Sequence, residues 1–278
     1  MHSLISFNLQ IIPASEAKIS ALSSAALYGS GVFTTVAVYD RKPFQWKKHW
    51  QRLSENAAKL NIRISDFDEE TVAASLAELI EKNNVSTGRA RITFYDEAAS
   101  GIWSFETVRK TSLLITTADR RETIEELRLT LSPYGINSKS SLAGIKSCNY
   151  LESLLSLEES KSRGFDEAVR LNERGEVASA CMANIFWIEG EALYTPPLET
   201  GCLEGTTRAA VIEIAQNSGF EVYTLAADYD ELRRADEIFL TSAGIGIASV
   251  RRLENEIFSD DVTRRLKRDF YANLPVFS

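Results

Sequence analysis

Residues that commonly build metal and disulfide sites are scarce in this chain of 278 residues. The only histidines are His2 and His49, so a multi-histidine metal site is excluded and we expect no metal. The three cysteines, Cys148, Cys181 and Cys202, are an odd number without CxxC spacing. This pattern favours reduced thiols over a disulfide framework, and we expect a cytoplasmic protein.

Long apolar runs and basic runs are also absent. No segment is long enough to span a bilayer, and the start, MHSLISFNLQIIPASEAKIS, lacks the basic region and long apolar stretch of a signal peptide. The formal net charge is -8, and no run of Lys or Arg is interleaved with aromatic residues. We therefore expect a small-molecule substrate, with neither a membrane nor a nucleic acid as a partner.

The composition is that of an ordinary globular protein, with 44% hydrophobic and 25% charged residues. Strand and helix patterns are interleaved in both halves without regular βαβ units, which predicts a two-domain α+β fold with mixed sheets. The segment ADRRETIEE at residues 118–126 is polar and without clear periodicity, so we place the domain junction there. The prediction is a smaller α/β domain over 1–117, a linker over 118–126 and a larger mixed-sheet domain over 127–278.

Apolar periodicity predicts the regular elements of both halves. Val32, Thr34, Val36 and Val38 alternate with residues on the other face of a strand, VFTTVAVYD, at residues 32–40. WKKHWQRLSENAAKLNI and DEETVAASLAELIEKNN have the apolar spacing of amphipathic helices. The further predicted elements are the strands RARITFYD, TSLLITTA and LRLTLSP, a helix from about Tyr150 to Arg163, the strands EAVRLN and ANIFWIEG, a helix in TTRAAVIEIAQNSG, and the strands EVYTLAA and DEIFLTSA.

One lysine interrupts a run of small and apolar residues, SLAGIKSCNYLESLL at residues 141–155. Lysine is rarely buried unless it is paired or chemically used. An apolar pocket destabilises the charged amine, so the pKa of Lys146 would fall and the amine would become a nucleophile near neutral pH. Such an amine forms a Schiff base with an aldehyde, as pyridoxal phosphate enzymes require. The alternative, which short motifs of this kind more often represent, is a lysine at a strand end that reaches solvent.

Three further stretches could bind an anion. In GCLEGTTRAAVIEIA, Gly205 precedes Thr206 and Thr207 at the start of a helix, where backbone N–H groups and hydroxyls converge. The small-residue turn in TSAGIGIASV is a second such place, and Arg52, one helical turn beyond His49, could bind a phosphate through its guanidinium. The alternatives are a threonine N-cap, a tight strand connection and a solvated arginine.

Taken together, these stretches resemble the class IV aminotransferases, the fold-type IV pyridoxal phosphate enzymes with a D-amino-acid aminotransferase-like fold. The resemblance runs through nearly the whole chain in order. It is carried by five segments: YGSGVFTTVAVYDRKPFQWKKHWQRL, LAGIKSCNYLESLL, GEVASACMANIFWI, YTPPLETGCLEGTTR and ADEIFLTSAGIGIASV. The resemblance implies pyridoxal 5'-phosphate as cofactor and a homodimer whose sites lie near the subunit interface.

The resemblance also implies a role for individual residues. Lys146 would bind the cofactor's aldehyde and later carry the proton between the substrate's Cα and the cofactor's C4′. The implied phosphate residues are Arg52, Gly205, Thr206, Thr207, Ser242 and Ala243. Tyr150 would lie near the cofactor ring, and Asn184 would support the site structurally. Tyr28, Phe33, Tyr95 and Trp103 could line a substrate pocket, although core packing is the alternative for each of them.

One position departs from the family pattern. The family has a glutamate five residues before the asparagine, where it pairs with the pyridine nitrogen, and here that residue is Ser179. A carboxylate keeps the ring protonated and strongly electron-withdrawing, whereas a serine hydroxyl can only form a hydrogen bond. Glu176 is an odd number of residues away, so on a regular strand it would point to the opposite face unless a bulge intervenes. We therefore expect weaker electron withdrawal at this site.

The choice of reaction rests on short segments. GVFTT, LAGIK and the GI of the last turn favour aminodeoxychorismate lyase, in which pyruvate leaves as the product ring becomes aromatic. NYL after the lysine is typical of the transaminases, of branched-chain or D-amino acid type, which are the alternative. Ser179 also leaves open a non-catalytic or cofactor-sensing relative, although Lys146 and the phosphate residues are present.

Overall fold

The computed structural model describes residues 1–97, 110–120 and 126–274. These residues divide into two compact units, one formed by residues 1–97, 110–120 and Ile145–Asn149 and the other by residues 126–144 and 150–274. The five residues around Lys146 thus group with the first unit, although the predicted domain over 127–278 contained them. Much of the predicted linker over 118–126 lies outside the described residues, and the predicted domain boundaries stay a prediction.

The first unit is built on an antiparallel sheet of six strands in the order β2-β1-β6-β5-β3-β4. Its elements are β1 (Leu4–Phe7), β2 (Gln10–Pro13), a 3-10 turn (Ala14–Glu16), α1 (Ser24–Tyr28), β3 (Gly31–Tyr39), β4 (Lys42–Pro43), α2 (Trp46–Lys59), α3 (Glu69–Lys82), β5 (Gly88–Asp96) and β6 (Thr111–Asp119). Helix α3 begins at the N-cap Asp68, whose carboxylate accepts a hydrogen bond from the N–H of Thr71 at 2.8 Å.

The core of the first unit lies between one face of this sheet and helices α2 and α3. Leu53 of α2 and Leu76 of α3 pack with Ile92 and Phe94 of β5, and all four are fully buried. Burial of such a side chain contributes about 1.5–3 kcal/mol. Strand β3 is buried on both faces, since Phe33 is only 4% exposed. The predicted alternation of Val32 with its neighbours therefore does not separate a core face from a solvent face.

The second unit contains a mixed sheet of nine strands in the order β12-β11-β10-β13-β14-β7-β8-β9, with β15 paired to β14. Its elements are β7 (Glu126–Leu131), α4 (Leu151–Ser162), β8 (Glu167–Leu171), β9 (Val177–Ala180), β10 (Asn184–Glu189), β11 (Ala192–Thr195), a 3-10 turn (Leu198–Thr200), α5 (Thr206–Asn217), β12 (Glu221–Thr224), α6 (Tyr229–Arg233), β13 (Glu237–Ser242), β14 (Gly246–Leu253), β15 (Glu256–Ile257) and α7 (Asp261–Ala272). Strand β7 runs parallel to both β14 and β8, and β11 runs parallel to β12.

Helix α4 is unusual because two of its serines, and none of its leucines, are fully buried. Ser156 and Ser160 are fully buried, whereas Leu151, Leu154 and Leu155 are between 44% and 66% exposed. No helix within the described ranges is long and apolar enough to cross a membrane. Over the same residues, no group of three or more His, Cys, Asp or Glu side chains could hold a metal ion.

Candidate active site

The lysine segment is held against strand β3 by its backbone. The N–H of Phe33 donates to the carbonyl of Lys146 at 3.0 Å, and the N–H of Cys148 donates to the carbonyl of Gly31 at 2.8 Å. A Cβ at position 31 would lie 2.8 Å from Cys148 Sγ and 2.9 Å from the carbonyl oxygen of Phe94. A glycine is therefore needed for this segment to lie so close to the strand, and its pairing places residues 145–149 in the first unit.

The Lys146 amine lies in a desolvated, electropositive environment. Burial, followed by the charges of Arg52 and Arg91, lowers the pKa of Lys146 from 10.5 to about 7. The amine also lies 4.6 Å from the centroid of the Phe33 ring. At neutral pH about half of such amines are uncharged, as a nucleophile requires. The catalytic role of Lys146 itself stays a prediction.

Arg52 is held in place by a threonine and a buried histidine. Its Nη2 donates to Thr34 Oγ1 at 2.9 Å, and the same oxygen lies 2.7 Å from His49 Nδ1. His49 is fully buried, and burial, then Arg52 and Lys146, lowers its pKa well below 6.5, so the ring is neutral. Because a guanidinium can only donate, the Thr34 oxygen accepts from Arg52, and its hydroxyl proton is available to His49 Nδ1. Nothing in the spacing of these residues along the chain indicates this pairing.

A second arginine, Arg91 of β5, contacts the same group. Its guanidinium carbon lies 3.6 Å from the centroid of the Phe33 ring, and its charge contributes to the lowered pKa of Lys146. Burial raises the pKa of the Cys148 thiol, and the charge of Arg91 opposes that rise. Sequence reasoning missed Arg91, and its position between two buried residues in RARITFYD was the available signal.

The predicted substrate residues are found in different surroundings. Phe33 lies within the lysine group, and Tyr95 is partly buried on β5, with its pKa raised by burial and then by Cys148. Tyr28 ends α1 and is 50% exposed. Trp103 lies outside the described residues. Phe33 is thus the predicted substrate residue whose ring lies beside the amine.

In the second unit, the N-terminus of α5 has the form of an anion site. Its N-cap is Gly205, which has no side chain to accept a hydrogen bond from the helix N–H groups, so the alternative of a threonine N-cap does not apply. Thr206 and Thr207 are only 7% and 3% exposed. A Cβ at Gly205 would lie 2.0 Å from Asn184 Oδ1, while Asn184 Nδ2 donates to the carbonyl of Leu203 at 2.7 Å. Asn184 and Gly205 therefore fit together only because residue 205 lacks a side chain.

The last predicted turn connects β13 to β14 in an antiparallel hairpin. Ser242 pairs with Gly246, and Ala243 lies in the turn between the two strands. One residue earlier, Thr241 lies opposite Asn184 in the sheet, so both side chains are on the same face. Thr241 Oγ1 is buried and has no hydrogen-bond partner among the residues that the structure describes. Sequence reasoning missed this hydroxyl.

Ser179 lies on β9, beside a bulge. Arg170 pairs with Ser179 but Leu171 pairs with Val177, so the ladder shifts register between these pairs. The bulge that would bring Glu176 to the other face is thus present. However, the Glu176 carboxylate accepts hydrogen bonds from Arg174 at 2.6 Å and from Asn172 at 2.8 Å, and these bonds lower its pKa.

The Glu176 carboxylate is therefore held within its own turn by Arg174 and Asn172, and it does not take the place of a carboxylate at position 179. Tyr150, the residue predicted to lie near the cofactor ring, is the N-cap residue of α4 and is partly buried.

Comparison with known proteins identifies the family. A family model described as Amino-transferase class IV matches residues 31–253. The putative branched-chain-amino-acid aminotransferase of Methanocaldococcus jannaschii is 28% identical over 273 residues, covering 96% of this chain and 94% of that protein. The aminodeoxychorismate lyase of Bacillus subtilis is 28% identical over 255 residues, covering 90% of this chain and 87% of that protein.

A solved structure gives the same result for the fold. The T.th. branched-chain amino acid aminotransferase, complexed with N-(5'-phosphopyridoxyl)-L-glutamate, is similar with a TM-score of 0.92 and 26% identity. The match covers 100% of this chain and 96% of that chain. Since the family model spans residues 31–253 of 278, the chain belongs to the class IV aminotransferase family.

Proposed function

We propose that this enzyme is an aminodeoxychorismate lyase, which releases pyruvate from 4-amino-4-deoxychorismate and leaves 4-aminobenzoate. Like other class IV aminotransferase-family enzymes, it uses pyridoxal phosphate. The family also contains transaminases, so the choice of reaction must come from the chain's own residues.

The residues present fit the cofactor. In the first unit, an amine with a pKa of about 7 suits attachment of an aldehyde, and the guanidinium of Arg52 is oriented by Thr34. In the second unit, the N-cap residue of α5 is Gly205, which has no capping side chain, and the buried Thr241 hydroxyl has no hydrogen-bond partner in the part of the chain that the structure describes. Arg52, Thr206, Thr207, Ser242 and Ala243 would hold the phosphate, and Lys146 would hold the aldehyde carbon.

When bound, pyridoxal phosphate withdraws electrons from the substrate's Cα, which makes the proton there removable. The amine of Lys146 takes that proton and holds it, because a pKa of about 7 lets Nζ act as base or acid near neutral pH. The Arg91 guanidinium gives the surroundings of this amine a positive charge, which favours a substrate that carries a carboxylate. 4-Amino-4-deoxychorismate has this property.

The observation that carries the proposal is the hydroxyl of Ser179 where the family has a carboxylate. Glu176 does not replace it, because Arg174 and Asn172 bind its carboxylate. A hydroxyl leaves the ring less electron-withdrawing than a carboxylate does. Pyruvate elimination depends less on electron withdrawal than amino transfer does, because the product gains an aromatic ring. The lyase reaction therefore tolerates Ser179 better.

A transaminase of branched-chain or D-amino acid type is the second candidate. Its support is Tyr150, which begins α4 directly after the lysine segment as NYL. Some of the relatives are also named branched-chain-amino-acid aminotransferases.

We also propose that the enzyme is a cytosolic homodimer. Leu151, Leu154 and Leu155 form an exposed apolar stripe on α4, of the kind that a subunit interface covers. Cys148, Cys181 and Cys202 are free thiols, as a reducing compartment favours. Light scattering should give twice the chain mass of 31.0 kDa, and a monomer at micromolar concentration would contradict the assembly.

The deciding experiment compares both reactions on one preparation. Pyruvate and 4-aminobenzoate are measured with 4-amino-4-deoxychorismate, and amino transfer is measured from leucine, D-alanine and glutamate to keto acids. We expect lyase turnover to exceed transfer, and both to be lost in Lys146→Ala. Borohydride should bleach the yellow colour and leave the reduced cofactor covalently bound to the peptide that contains Lys146. Dominant amino transfer would favour the second candidate, and a colourless protein that binds no cofactor would exclude both.

A further inference from the structure

A buried arginine lies next to Ser179 in the sheet. Strands β8 and β9 are antiparallel, and Arg170 lies directly opposite Ser179. Directly opposite side chains lie on the same face. The adjacent pair, Val169 and Ala180, belongs to the hydrophobic core. Arg170 and Ser179 therefore share the face that points away from this core.

Helix α4 covers that face. Arg170 Nη1 donates to Ser153 Oγ at 3.2 Å, and Ser156 Oγ, one helical turn further on, lies 3.0 Å from Cys181 Sγ. Cys181 is two residues beyond Ser179 in the chain. The buried position of Ser156 is thus explained by the polar groups beneath it. The cover is tight, since Arg170 is only 4% exposed.

The positive charge of Arg170 is only weakly compensated. Its Nε donates to the carbonyl of Tyr134 at 3.2 Å and its Nη2 to the carbonyl of Gly135 at 2.7 Å. These carbonyls fix the guanidinium plane without carrying a charge. Nη2 also lies 2.8 Å from a carboxylate oxygen of Glu152, but the Glu152 side chain is 69% exposed. Water therefore screens this ion pair.

The other titratable groups nearby do not cancel the positive charge of Arg170. Burial raises the pKa of Glu167 to about 7, and its carboxylate accepts a hydrogen bond from the N–H of Cys181 at 3.0 Å. Glu167 is two residues from Val169 and so lies on the core face. Burial raises the pKa of the Cys181 thiol to about 11, so the thiol is neutral. Glu176 is bound by Arg174 and Asn172.

We propose that Arg170 is a positioning residue whose fixed positive charge beside Ser179 keeps a pyridine nitrogen bound against that serine unprotonated. This inference rests on the proposed function, since the proposed function puts the cofactor ring against Ser179. A neighbouring cation disfavours protonation of a base, and the Ser179 hydroxyl then donates its hydrogen to the nitrogen lone pair. Arg170 thus places a positive charge near the ring nitrogen, where the family's carboxylate places a negative one. The resulting weaker electron withdrawal suits elimination better than amino transfer.

The test measures the protonation state of the ring nitrogen directly. Holoenzyme is reconstituted with pyridoxal phosphate carrying ¹⁵N in the ring, and the ¹⁵N resonance is followed from pH 5.5 to 9. We expect an unprotonated nitrogen at pH 7.5 in the wild type. In Arg170→Gln its pKa should rise by on the order of 1–2 pH units, and Arg170→Lys should restore it.

Arg163→Gln is the matched control. Arg163 also donates to a backbone carbonyl, that of Leu131 at 2.8 Å, but it lies at the opposite end of α4. The Arg163→Gln enzyme should titrate like the wild type. A protonated ring nitrogen in the wild type at pH 7.5, or the same titration in Arg170→Gln and wild type, would overturn the inference.

Two further measurements keep the result decisive. If borohydride leaves no ¹⁵N-labelled cofactor bound to Lys146, the proposed function fails. If the labelled cofactor is bound there but the pKa of its ring nitrogen is the same in Arg170→Gln and wild type, only the present inference fails. Should Arg170→Gln not fold, Ser179→Glu remains. There the new carboxylate lies opposite Arg170 and pairs with it, so the ring nitrogen should stay unprotonated at pH 7.5. A protonated ring in Ser179→Glu would contradict a dominant role for Arg170.

Discussion

The desolvated amine of Lys146 should make the stability of the cofactor-free protein depend on pH. The pKa of Lys146 is about 7 in the folded state and 10.5 in the unfolded state, so between these pH values the unfolded protein binds more protons than the folded protein. Stability therefore rises with pH across this window. Below pH 7 both states are protonated, and the folded state bears a cost of about 5 kcal/mol. Lys146→Met removes the charge and this cost.

We therefore expect Lys146→Met to be more stable than wild type by up to about 5 kcal/mol at pH 6 and by only about 2 kcal/mol at pH 9. Urea titrations of the cofactor-free proteins, followed by the fluorescence of Trp46 and Trp50 in the same unit, measure the difference. Lys139→Met, at an exposed position, is the control and should show no such trend. An equal stability difference at both pH values would refute a desolvated amine.

Two further predictions concern the second unit. In Gly205→Ala the new Cβ would meet Asn184 Oδ1 at 2.0 Å and break the hydrogen bond to Leu203, so cofactor affinity should fall about tenfold or more in a fluorescence titration. In Gly219→Ala the new Cβ has open space, but the φ of +85° strains the backbone, so this control should lose stability and keep its cofactor affinity. Equal affinity in both variants would contradict the predicted contact. Burial raises the pKa of Glu167 from 4.5 to about 7, so the folded protein binds more protons than the unfolded protein between these pH values. The free energy of unfolding therefore falls as pH rises from 4.5 to 7. Glu167→Gln should therefore gain up to about 3 kcal/mol over wild type above pH 7 and nothing below pH 4.5, and parallel pH curves would contradict this.

The sequence predicts elements best where apolar periodicity is long. Strand β3, helix α2 and helix α5 lie where the pattern placed them, and the α+β fold class is confirmed by the similarity to the aminotransferase structure. Strands β1 and β2 were missed because four residues are too few to show a period. Helix α7 was missed although Thr263, Leu266 and Phe270 have helical spacing, because charged residues surround them.

The residues around Lys146 and Asn184 could be predicted only in part. Lys146 and Arg52 lie in recognisable segments, and the structure brings both into one electropositive group. The surroundings of Arg91 and Thr241 could not be predicted, because Arg91 acts on Lys146 and Thr241 pairs in the sheet with Asn184, each more than 50 residues away in the chain. The bulge at Ser179 is likewise a property of two paired strands and not of either strand's sequence.

The energetics of Lys146 also bear on whether the chain could be a non-catalytic relative. A desolvated amine near two arginines costs stability at neutral pH, and a methionine would fill the same space without that cost. The same holds for the buried Thr241 hydroxyl, which has no hydrogen-bond partner among residues 1–97, 110–120 and 126–274. A protein that only needed to fold would gain from replacing both groups. The presence of both groups therefore argues against a non-catalytic relative and for a functional role of each group.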